Sequence, residues 1–61
     1  MMDPTENWKR QALAAAQIVA LIDADGDQAE IADLADELAT LVTALHEWIS
    51  RGGSPPEQWK R

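Results

Sequence analysis

The sequence predicts an all-α chain. Two helices, over about residues 4–24 and 28–51, form an antiparallel αα-hairpin with a short C-terminal tail, and two hairpins join into a four-helix bundle. Three observations lead there. Ile31, Leu34, Leu38, Leu41, Leu45 and Trp48 recur at alternating steps of three and four, an apolar seam kept up for more than two heptads. The segment Asp23-Ala24-Asp25-Gly26-Asp27 leaves only a short connection, so the helices it joins are antiparallel neighbours. Finally, the chain has 61 residues and no cysteine. A core this small rarely supplies more than about 3–5 kcal/mol without disulfides, metal or association. A second copy is the simplest source of further burial.

Asp3-Pro4-Thr5-Glu6 opens the first helix: Asp3 can accept from the Glu6 amide, Pro4 suits the first helical position, and Glu6 can reach back to the Asp3 N–H. Its main apolar stripe reads Trp8, Ala12, Ala15, Val19 and Ile22, with Ile18 at the edge. Leu13 and Leu21 fall outside that stripe and point to contact on a second side. Gly26 is expected in the left-handed position that ends the helix, and Asp27 with Glu30 repeats the capping logic for the second helix.

The second helix carries the seam, widened one position behind by Ala35, Val42 and Ile49. That width fits a bundle core better than a two-stranded coil. Gly52-Gly53 ends it, and Pro55-Pro56 prevents a restart in register. Residues 52–61 thus read as a Gly/Pro-hinged tail on a single hairpin domain spanning 1–61. Within the tail, Ser54-Pro55-Pro56-Glu57 repeats the cap-then-proline chemistry and can begin one short turn carrying Trp59.

The expected self-association core is Ile31, Leu34, Leu38, Leu41, Leu45 and Trp48 together with Trp8, Val19 and Ile22. Expected contacts to a partner are Leu13, Leu21, Trp59 and Arg51. The three tryptophans, the chain's only aromatics, all fall at the open end of such a hairpin. Trp8 and Trp48 are expected to plug the bundle there, while Trp59 either folds back over them or anchors another protein.

Several chemistries are excluded. Asp23, Asp25 and Asp27 match the opening of a calcium loop. However, Gln28 stands at the sharp-turn glycine, Glu30 at the apolar position and Leu34 at the bidentate glutamate, so helix capping accounts for the acids without a metal. His46 is the lone imidazole, and Glu47 beside it points about 100° away on a helix, so the two form no base–orienter pair. With no glycine-rich phosphate loop, the chain is expected to be no enzyme and to bind no cofactor. No apolar run spans a membrane and the N-terminus is unlike a secretory signal, which makes a cytoplasmic location the expectation.

The net charge of −6 disfavours nucleic acid. Charge is also partitioned along the hairpin. Asp23 to Glu37 holds seven acids and no base, while Lys9, Arg10, Arg51, Lys60 and Arg61 map to the open end. In a dimer with its turns at opposite ends, each acidic tip is expected beside the partner's basic end.

Leu45-x-x-Trp48-Ile49-Ser50-x-Gly52-Gly53, followed by Pro56 and Trp59, resembles the ending of small proteins from actinobacteria and their phages. The likeness covers the last third of the chain and carries over no functional residue. Those proteins usually place Phe-Leu-Pro after the glycines, where this chain has Ser54-Pro55-Pro56. In architecture the hairpin is similar to Rop-type RNA-binding dimers, a likeness of fold alone.

The expected function is therefore a non-enzymatic protein–protein interaction module. The resemblance implies a phage or mobile-element accessory protein acting on a host or phage protein. The alternatives are a Rop-like nucleic-acid-associated dimer and an acidic decoy for a nucleic-acid-binding protein.

Overall fold

The computed structural model describes residues 2–60; Arg61, counted above with the basic open end, lies outside the described residues. Helix α1 spans Pro4–Asp23 and helix α2 spans Gln28–Ser50. A short 3-10 helix, Glu57–Trp59, follows in the tail. No strand occurs among the described residues, and none of their helices is long and apolar enough to cross a membrane. The two helices pack as a hairpin, and the tail turn returns to α1.

Local chemistry sets the helix bounds. Asp3 accepts the Glu6 amide at 3.1 Å with Pro4 in the first turn, which satisfies one of the orphan donors of a helix start. The Glu6 carboxylate, expected to reach back to Asp3, instead lies 3.7 Å from Arg10 Nε. Asp27 caps α2 by accepting from Ala29 at 2.9 Å, one residue earlier than a capping box requires.

The turn corrects the reading of Gly26. Asp25, not Gly26, takes the left-handed conformation, at φ +54°, which a short polar side chain tolerates. Gly26 then donates to the Leu21 carbonyl at 2.7 Å and Asp25 to that of Ile22 at 3.1 Å, the paired bonds of a Schellman ending. Glycine fits here by closeness instead: a Cβ would lie 2.8 Å from Leu21 Cδ2 and 3.2 Å from the Leu21 carbonyl oxygen, so the Leu21 side chain would have to shift.

The same motif ends α2. Gly53 donates to the Trp48 carbonyl at 2.9 Å and Gly52, at φ +88°, donates to that of Ile49 at 3.0 Å. The Trp48 indole lies across Gly53 and donates from Nε1 to the Ser54 carbonyl at 2.8 Å. Beyond it Pro56 is fully buried. Pro56, not Ser54, stands at the N-cap position of the short tail helix and supplies no side-chain cap. Its first amide, Glu57, donates to Thr5 Oγ1 at 3.0 Å, and Trp59 meets Trp8 edge to face, ring centroids 5.3 Å apart. The tail therefore lies folded across the open end.

The seam of α2 faces α1 as its spacing predicts, with Leu45 buried and Ile31, Leu34, Leu38, Leu41 and Trp48 half-buried. The α1 stripe does not. The α1 positions covered by the hairpin are Asn7, Gln11, Ala14, Ile18 and Leu21, one residue earlier than the expected stripe and so about 100° around the helix. Leu21, expected outside the hairpin, is half-buried in it. Ala14, 2% exposed, lets the helices approach closely at their middle. At the open end Asn7 is buried: its Nδ2 donates to the Leu41 carbonyl at 3.0 Å and its Oδ1 accepts from Gln11 Nε2 at 2.7 Å.

Candidate interaction surface

Rotation of α1 leaves its expected core residues outside. Val19 and Ile22 are 58% and 60% exposed, Trp8 is 37% exposed with Trp59 packed edge to face against it, and Ala12 is exposed. These side chains share one side of the hairpin with Val42 and the flank of Leu38 on α2. Between them runs an open hollow of about 410 Å³ lined by Trp8, Gln11, Ala12, Ala15, Leu38 and Val42. A smaller one, about 250 Å³, continues it toward Leu45, His46, Ile49 and Trp59. His46 is thus an exposed residue at the rim of an apolar groove.

The opposite side is different in kind. Its hollow is bordered by Gln17, Glu30, Asp33 and Glu37, with only Ala20 and the edges of Leu21 and Leu34 apolar. Leu13 is 60% exposed and lies about 140° around α1 from Trp8, so it belongs to neither the seam nor the apolar face. The hairpin thus has one apolar and one acidic face.

Of the basic residues, Arg51 lies 3.9 Å from Glu47, Lys60 3.5 Å from Glu57 and Arg10 3.7 Å from Glu6. These pairs are exposed and contribute little stability. They do neutralise the open end, where sequence reading had expected a positive one. The turn keeps its seven acids without a base between them.

Among the described residues no three acid or imidazole side chains converge in a way that would hold a metal ion. At the turn, Asp27 spends its carboxylate on the Ala29 amide. Calorimetric titration with millimolar calcium is accordingly expected to give no saturable heat, and a stoichiometric isotherm would restore the turn as a site.

Sequence reasoning missed Asn7 and Gln11. Their signal was present: two amides four apart, in line with Ala14, Ile18 and Leu21. No known protein family, curated protein or solved structure matches the chain.

Proposed function

We propose that the chain is a non-enzymatic interaction module that works by self-association, two hairpins closing their apolar faces into a four-helix bundle. The observation that carries this reading is the one-sided exposure of Trp8, Val19, Ile22 and Val42. The surface supports it quantitatively. The chain exposes 4548 Å², whereas a compact monomer of 6.7 kDa is expected to expose roughly 3,900 Å². Only Ala14 and Leu45 are buried apolar residues within the two helices, so a lone hairpin has little core. The hollows beside them are open grooves, shaped for side chains of another helix rather than for enclosing a substrate.

Sedimentation across a wide concentration range tests this. A dimer is expected at micromolar concentration, with a melting midpoint that rises with concentration. Val19→Asp, a change at an exposed position of the hairpin, is expected to weaken association on the order of a hundredfold, because it places an unpaired carboxylate in the closed interface. A helical monomer that persists at the highest concentration reached, or a Val19→Asp variant that still dimerises fully, would remove the proposal.

A further inference from the structure

We infer that the second copy docks with its turn at the opposite end, so that α1 lies antiparallel across the partner's α1. This rests on the self-association proposed above and adds the identity of the surfaces that meet. The hairpin's Cα envelope measures 40 × 22 × 15 Å, a slab one helix thick. Its broad face is as long and as wide as the hairpin itself. An occupant of the same length and breadth therefore covers it completely, and a second copy is such an occupant.

Two orientations bring the apolar faces of identical hairpins together around a two-fold axis. If the axis runs along the helices, the turns adjoin and α1 lies on the partner's α2. If it runs across them, the turns separate and α1 lies on the partner's α1. Charge separates the two. Each turn carries Asp23, Asp25 and Asp27, followed on α2 by Glu30, Asp33, Asp36 and Glu37. Adjoining turns gather both sets at one end, with no base between Asp23 and Glu37 to offset them. Opposed turns place each set beside an end that is close to neutral, where Arg10, Arg51 and Lys60 are balanced by their own glutamates and Lys9 by Asp3, so the acids of the two turns are kept apart.

The α1 stripe agrees. Trp8, Ala12, Ala15 and Val19 read large, small, small, large. Two copies running in opposite senses set Trp8 beside the partner's Val19 and Ala12 beside its Ala15. The alanines permit close approach at the crossing, and the larger side chains fill the groove on either side.

The chain lacks cysteine, so Gln28→Cys, at the exposed first turn of α2, gives one spin label per copy. In the dimer, pulsed dipolar spectroscopy is expected to find the labels roughly 30 Å or more apart, about the length of a 20-residue helix. Gln58→Cys repeats the reading from the open end and is expected to give a similarly long separation. A dimer with labels only about 10–20 Å apart, as for helices packed side by side, overturns the orientation and leaves self-association standing. A labelled and unlabelled chain that both sediment as helical monomers overturn both, and the apolar face then belongs to a different protein.

Discussion

Leu45→Asp is expected to leave the chain unfolded at room temperature, with its helical circular dichroism lost. Leu45 is 5% exposed, the one fully buried residue of the α2 seam, and lies one turn beyond Leu41, whose carbonyl accepts from Asn7. Removing a buried leucine side chain alone costs about 2–5 kcal/mol, and an unpaired carboxylate in its place adds a desolvation penalty. A domain of this size has only about 3–5 kcal/mol to lose. Leu13→Asp makes the same chemical change at an exposed position and is expected to stay within about 0.5 kcal/mol of the parent. Retained helicity in Leu45→Asp would mean that the seam is not what holds the hairpin.

The second large effect is expected at Gly53. A Cβ there would overlap Cε2 and Nε1 of the Trp48 indole, so Gly53→Ala forces the indole to swing away. The swing breaks the bond from Nε1 to the Ser54 carbonyl and releases the segment that carries Pro56 and Trp59. The loss is expected to be about 1–2 kcal/mol in urea unfolding, from one exposed hydrogen bond and the packing of the buried Pro56 behind it. Helix content should persist, because α1 and α2 keep their own caps and seam. The near-ultraviolet signal of the Trp8–Trp59 pair should disappear. Ser54→Ala is the control: the acceptor is the backbone carbonyl, so removing the hydroxyl should change nothing. An unchanged near-ultraviolet spectrum in Gly53→Ala would show that the tail is held by other contacts.

Where the sequence was legible, local chemistry decided the outcome. Asp3 with Pro4, Asp27, and Gly52-Gly53 bracket the helices within a residue of where they are observed, because capping depends on neighbours in the chain. The α2 seam was legible because five Leu and Ile side chains and one Trp leave a single apolar orientation. The face of α1 was not. Apolar content favoured Trp8, Ala12, Ala15, Val19 and Ile22, yet the hairpin covers the neighbouring stripe, in which Gln11 donates to Asn7 and Asn7 donates to the Leu41 carbonyl. Amides whose hydrogen bonds are made inside the hairpin can be covered at little cost, and hydrophobic periodicity does not register them. The displaced stripe then became the candidate surface, so the misread face and the proposed function have one origin. Gly26 was misread for a related reason: its role is set by contact with Leu21, not by its own dihedral angle.

The hydrogen bond from the Glu57 amide to Thr5 joins residues 52 apart in the chain, and it implies an order of events. Helices form in about a microsecond or less from neighbouring residues, and a short turn brings them together quickly. Only then are Thr5 and the end of α2 close enough for the tail to find its place. Residues 54–60 therefore arrive last on a scaffold already built. By the same reasoning they leave first, through a local opening that costs less than global unfolding. Hydrogen exchange at the Glu57, Trp59 and Lys60 amides is accordingly expected to run faster than in the middle of α1 and α2.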